Sequence, residues 1–209
     1  MQPKPVLVED VILVKPSLDY LAEYTAALER RWSPDNVRGA EAAREQLSQI
    51  AADPAGFVIS LDDPDAIGEP IRLPDGSQVP RLPGFARWIW DGAFCGSFGF
   101  RWQRGTSALP AHVLGHVGFA VVPWKQGMGY AKQALALMLP EARRQGLNHV
   151  ELTTDPENVA SRRVILACGG KLVERFRKEV AYGGSEALRF RIELCGGDPL
   201  ILSRVALQR

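Results

Sequence analysis

Val121-Val122-Pro123-Trp124-Lys125-Gln126-Gly127-Met128-Gly129-Tyr130-Ala131 reads as a strand running into a small-residue turn that opens an amphipathic helix. Gly127 and Gly129 admit backbone angles closed to other residues, and without side chains they let main-chain N–H groups approach an anion. The run that follows, Lys132 to Arg143, is built of helix formers with Ala134, Leu135 and Met138 as apolar positions, which sets the turn at a helix N-terminus. Unpaired N–H groups and the positive end of the helix dipole favour a phosphate there, the dipole alone by about 0.3–1 kcal/mol. The expectation is a diphosphate cradle.

Two familiar phosphate loops fail on spelling. A P-loop needs Lys and then Ser or Thr after its second glycine, where this chain has Tyr130-Ala131. A dinucleotide fingerprint needs a third glycine where Lys132 stands, and an acid on a following strand that does not occur at the usual distance. Gln126-x-x-Gly129-x-Ala131 instead resembles the Gln/Arg-x-x-Gly-x-Gly/Ala signature of the GNAT superfamily, the acetyl-CoA-dependent N-acetyltransferases. The likeness continues on both sides, over roughly residues 85–195. Gly118 to Pro123 looks like the family's fourth strand, Asn148 to Asp155 like its fifth, and Asn158 and Ser161, followed by Gly169-Gly170, are similar to its Asn-x-x-Ala/Ser…Gly segment.

The resemblance implies an α+β domain with a mixed, mainly antiparallel central sheet, splayed between its fourth and fifth strands and flanked by helices. It implies acetyl-CoA as cosubstrate. The main-chain N–H groups around Phe119, Ala120 and Val121 would polarise the thioester carbonyl and pair with the pantetheine arm, and the amides of Gln126, Gly127, Met128, Gly129, Tyr130 and Ala131 would hold the diphosphate. Asn158 would reach the arm with its side-chain amide and Ser161 would offer a hydroxyl nearby. The plain alternative for Asn158 is a helix cap.

The composition sets the frame. With 209 residues and 46% hydrophobic content the chain is long enough for a real core, and a formal charge of +1 gives no electrostatic footprint for nucleic acid or membrane. No charged-then-apolar leader and no run of eighteen apolar residues occurs, and Cys95, Cys168 and Cys195 form no framework, so a cytoplasmic protein with reduced thiols is expected. A homodimer is compatible with the sequence.

Residues 1–195 are expected to form one domain, with 196–209 as an unassigned extension. Val6 to Val14 reads as a strand, Pro16 to Arg31 as a helix opening at Ser17, and Gly39 to Ile50 as a second helix. Phe57-Val58-Ile59-Ser60-Leu61 reads as a strand. The Asp-, Pro- and Gly-rich stretch 62–84 reads as a hairpin insertion or a lid. Arg87 to Trp90 and Gly96 to Arg101 form a hairpin around Asp91-Gly92, and Lys171 to Val180 pairs with Ala187 to Leu194.

Acetyl transfer to an amine needs a fixed thioester, a neutral amine and donors for the developing oxyanion. The places where many relatives carry a basic Glu and an acidic Tyr hold Thr153 and Ile165. In range remain His116, which titrates near neutrality, and Asp155 and Glu151, although His116 reads as well as a strand-start residue bonded to a neighbour and Asp155 as the residue that ends its strand. Tyr130 packs or lines the cosubstrate path, Cys168 is a small buried hydrophobe or a nucleophile, and Trp88, Trp90 and Trp102 are core or acceptor-pocket residues. The Arg31-Trp32-Ser33-Pro34 turn would add specificity if it faced the slot. The reading is an N-acetyltransferase that uses direct attack on a small-molecule amine acceptor. A CoA-binding sensor without strong catalysis and a transferase of another acyl group are its rivals.

Overall fold

The computed structural model describes residues 11–73, 76–180 and 183–194. The elements run β1 (Ile12–Val14), α1 (Leu18–Glu29), α2 (Ala40–Ala52), α3 (Pro54–Ser60), β2 (Asp62–Asp63), β3 (Ile71–Arg72), β4 (Gln78–Val79), β5 (Gly84–Trp90), β6 (Phe94–Arg101) and β7 (Val117–Val121). A 3₁₀ turn (Pro123–Lys125) follows, then α4 (Tyr130–Arg144), β8 (His149–Thr154), α5 (Val159–Ala167), β9 (Lys171–Arg177) and β10 (Glu186–Glu193).

Successive residues of a strand face opposite sides, and this alternation divides the core in two. Trp88 of β5 joins Leu21, Tyr24, Leu28, Trp32 and Phe57 under α1–α3, whereas its neighbour Ile89 joins Phe98, Phe100, Leu135, Met138 and Leu152 under α4 and α5. Tyr24 stacks on Trp88 with ring centroids 4.6 Å apart. Trp102 is core as well, and Trp90 is partly buried against α1 through Tyr20.

The strands form a sheet β1-β5-β6-β7, with β2 also on β5, and a second sheet β8-β10-β9. All pairings among the described residues are antiparallel. β7 and β8, the two strands expected to splay, belong to different sheets. They meet where the chain enters β7: the His116 N–H donates to Glu151 O at 2.8 Å, the Glu151 N–H donates to His116 Nδ1 at 2.9 Å, and the Thr153 hydroxyl donates to Leu114 O. Gly115 permits that approach, because a Cβ there would lie 3.0 Å from Glu151 O. Beyond this point the strands part as a V.

Phe57–Leu61 is a correction: Phe57 to Ser60 lie in helix α3 and Leu61 is its C-cap, and the helix, Pro54–Ser60, is capped at its start by the Asp53 side chain accepting from Gly56 N–H at 2.9 Å. A short apolar run is compatible with either period, and Asp53-Pro54 was the helix-start signal that decided it. The first strand is seen as Ile12–Val14. Residues 6–10, the Pro74-Asp75 part of the expected turn and the 196–209 extension lie outside the described residues. The stretch 62–84 carries a small β3–β4 hairpin and has Asp62 bound to Arg87 at 2.9 Å; none of its described residues lines the cleft between β7 and β8. Among the described residues no helix is long and apolar enough to cross a membrane.

Candidate active site

β7 leaves one edge unpaired along the V. Its register with β6 sets Gly118 opposite Gly99 and Ala120 opposite Ser97. The flanking bonds, Arg101 N–H to His116 O and Val122 N–H to Cys95 O, both 2.9 Å, show that the even-numbered residues aim their backbone groups at β6. Antiparallel alternation then aims those of Val117, Phe119 and Val121 into the gap. Side chains from outside the sheet reach the carbonyls there: Gln126 Nε2 donates to Val121 O at 3.2 Å and Asn36 Nδ2 to Phe119 O at 3.4 Å.

The strand runs through the Pro123–Lys125 turn to the glycines. Gly127 and Gly129 adopt φ of 79° and 84°, left-handed angles that favour glycine, and Gly129 caps α4. A Cβ at Gly127 would meet nothing within 4 Å, and one at Gly129 only the Gln133 side chain at 4.0 Å, so the space before the helix is open. Asp91, in the turn between β5 and β6, clamps both ends of this segment: it pairs with Lys125 Nζ at 2.6 Å and accepts from the Tyr130 hydroxyl at 2.5 Å. Burial works against its charge, but hydrogen bonds from Lys125, Tyr130 and Cys95 outweigh it and hold the carboxyl at about 2. Tyr130 is thus a buried anchor of the turn. Met128 and Trp124 are exposed, with Arg30 stacked 3.4 Å over the Trp124 ring, and Ala131 lies in the first turn of α4.

A cleft of about 650 Å³ fills the V and extends under the α1–α2 connection. Phe119, Asp155, Asn158 and Ser161 line it, as do Thr153 and Ile165. Asn158 caps α5, its Oδ1 accepting the Ser161 N–H at 3.0 Å, so the cap reading holds while the residue still faces the cleft. Ala120 is buried on the α1–α3 side. A second hollow of about 440 Å³, bounded by Ala66, Gly68 and Arg81 among others, shares no residue with the cleft.

The candidate proton acceptors are engaged elsewhere. Asp155 pairs with Lys178 at 2.7 Å and its carbonyl accepts the Asn158 N–H, as expected of a residue that ends a strand. Glu151 pairs with Arg191 at 2.7 Å. His116 has no solvent exposure and does not line the cleft. Its Nδ1 accepts from Glu151, so the neutral ring carries its proton on Nε2, which is buried without a partner among the described residues. In this position the imidazole pins the two sheets together. Burial, partly offset by Glu151, lowers its pKa from 6.5 to about 4. Between those values the unfolded chain binds more protons than the folded one, so the contribution to stability is complete above pH 6.5 and is lost as pH falls towards 4, on the order of 3 kcal/mol. Denaturant melts at pH 7 and pH 4.5 should therefore differ more in the wild type than in His116→Gln. Equal differences would remove this role.

The sequence reading passed over Asp91 as a clamp, Asn36, Arg101 and His112, all but Asp91 on the cleft wall. Cys168 caps α5 with its Sγ 3.6 Å from Lys132 O, and burial raises its pKa, which keeps it a thiol.

A splayed sheet whose free strand edge leads into a glycine turn at a helix start defines the acetyl-CoA-dependent acetyltransferase class. The acetyltransferase (GNAT) domain family model matches residues 10–171, and the chain belongs to that family, as an acyltransferase with acetyl-CoA as cosubstrate. Similar solved structures include the microcin C7 self-immunity acetyltransferase MccE in complex with acetyl-CoA and AMP, at 14% identity, TM-score 0.56, and coverage of 88% of this chain and 93% of that one. They also include the Salmonella typhimurium acetyltransferase that modifies the N-terminal serine of ribosomal protein L7/L12, at 10% identity, TM-score 0.58, and coverage of 88% and 95%. At such identities the likeness is one of fold. No curated protein matches in sequence.

Proposed function

We propose that this acetyltransferase moves the acetyl group of acetyl-CoA to a primary amine of a small molecule, by direct attack in a ternary complex. The observation that carries the reading is the free edge of β7, which continues into the open glycine turn: Phe119 and Val121 have the backbone groups to hold a pantetheine arm, and Gly127 to Ala131 the N–H groups to hold a diphosphate. Asn36 favours a small acceptor over a protein, because its bond to Phe119 O ties the α1–α2 connection across the cleft as a strap. The ribosomal-protein enzyme among the similar folds makes a protein N-terminus the rival acceptor.

In the transfer, the amine nitrogen bonds to the acetyl carbon, the C–S bond breaks, and the thiolate of CoA leaves. A main-chain N–H on the free edge of β7 stabilises the oxyanion. The surplus proton on nitrogen needs an acceptor. Thr153 and Ile165 offer none, Glu151 and His116 do not line the cleft, and Asp155 lies at its rim in an ion pair with Lys178. His112 lines the cleft wall on the connection into β7, and its position there assigns it this role. The raised pKa of Cys168 argues against an acetylated cysteine intermediate. Thiol release from acetyl-CoA, with a panel of amines and the product identified by mass, tests the proposal. Release that depends on a small amine is expected; tight acetyl-CoA binding with no release for any amine or peptide would leave a CoA-binding sensor.

A further inference from the structure

The acceptor half of the cleft holds a cation without a counter-charge. Arg101 ends β6, and its N–H bond to His116 O sets it three residues from Phe119 along β7, roughly 10 Å of strand at about 3.3 Å per residue. It therefore lies beyond the thioester end of the free edge. Strand alternation puts its side chain on the face of Ser97 and Gly99, small residues that with Ala86 and Gly118 form a low floor beside an exposed guanidinium.

The other Asp, Lys and Arg side chains on the cleft wall are satisfied. Arg38 pairs with Glu45 at 2.5 Å, Lys178 pairs with Asp155 at 2.7 Å, and Asp35 accepts the N–H groups of Val37 and Arg38 at 2.8 and 2.9 Å. Among the described residues the Arg101 side chain has neither a hydrogen bond nor a close ion pair, only a longer-range attraction to Asp35. The surrounding protein lowers its pKa, yet an arginine remains charged. An exposed guanidinium with five unengaged donors on the cleft wall is complementary to an oxyanion, which it can take in bidentate fashion.

We propose that Arg101 reads an oxyanion, a carboxylate or a phosphate, carried by the acceptor amine, so that the substrates are small amino acids or amino-phosphates. This rests on the acetyl-transfer reading above. Charge-assisted hydrogen bonds of this kind correspond to about a ten- to hundredfold preference for the anionic acceptor.

The test uses acceptor pairs that differ only in the anion, an amino acid against its carboxamide and phosphoethanolamine against ethanolamine, with thiol release followed at saturating acetyl-CoA. At least one anionic member should be preferred tenfold or more in kcat/KM, and the pair that shows it distinguishes carboxylate from phosphate. Arg101→Gln should erase that preference through KM, and Arg101→Lys should keep part of it, with acetyl-CoA affinity unchanged in both. A preference that survives Arg101→Gln, or neutral members used as well as anionic ones, would overturn the proposal. Calorimetry of the same acceptors with the CoA-loaded protein separates the two claims. Anion binding that needs Arg101, without thiol release, would keep the oxyanion site and reject acetyl transfer. Release indifferent to Arg101 would do the reverse.

Discussion

Gly129→Glu should lower acetyl-CoA affinity by about a hundredfold or more while the protein stays folded. The new carboxylate would enter the open space before α4, where N–H groups otherwise face an anion. Lost charge-assisted hydrogen bonds weigh about 1.5–3 kcal/mol each, and repulsion between like charges adds to them. The cost to stability is smaller, because forcing a residue with a Cβ to the observed φ of 84° takes about 1–2 kcal/mol. Gly129→Ala separates the two effects: it carries the same backbone strain without the charge, so its melting temperature should fall as much and its affinity should fall less than tenfold. Calorimetric titration of both variants reads the difference. Equal affinity losses would mean that the turn matters only for its shape.

His112→Gln is expected to reduce kcat at pH 7 by about a hundredfold, within the usual range for a general base, with acetyl-CoA affinity unchanged. The residual activity should climb with pH towards the acceptor's own pKa, about 10 for a primary alkylamine, because the amine then arrives without its proton. A pH–rate profile of variant and wild type checks both statements. A loss below about threefold would assign deprotonation to ordered water. Retention of the full wild-type profile by the variant would exclude His112.

The parts of this protein legible in its sequence are those imposed by local backbone chemistry. Gly127 and Gly129 before a run of helix formers announced a tight turn at a helix start, and the turn takes the left-handed angles that glycine allows. Asp91-Gly92 between two apolar strands announced the β5–β6 hairpin. The V between β7 and β8 followed from the family resemblance, since no local pattern states which strands stay unpaired. Where residues far apart in sequence decide the outcome, the reading ran out. His116 read equally as a base and as a strand-start residue bonded to a neighbour, and the neighbour, the Glu151 amide, lies on another strand. Arg101 and Asn36 carried no signal, as their place on the cleft depends on strand parity and on a connection folded over β7. Phe57 to Leu61 shows the complementary failure, where a short apolar run was read as a strand and the Asp53-Pro54 start signal before it was not used.

The central claim is that acetyl-CoA lies along the free edge of β7 and ends at the glycine turn. Amide hydrogen exchange, followed residue by residue with and without acetyl-CoA, tests it most directly. The N–H groups of Phe119 and Val121 and those of Gly127 to Ala131 should gain protection when the cosubstrate is added, while Gly118 and Ala120, already bonded to β6, should change little. That alternation along one strand is the expected result. Protection spread evenly over β7, or confined to residues away from both β7 and the start of α4, would contradict it.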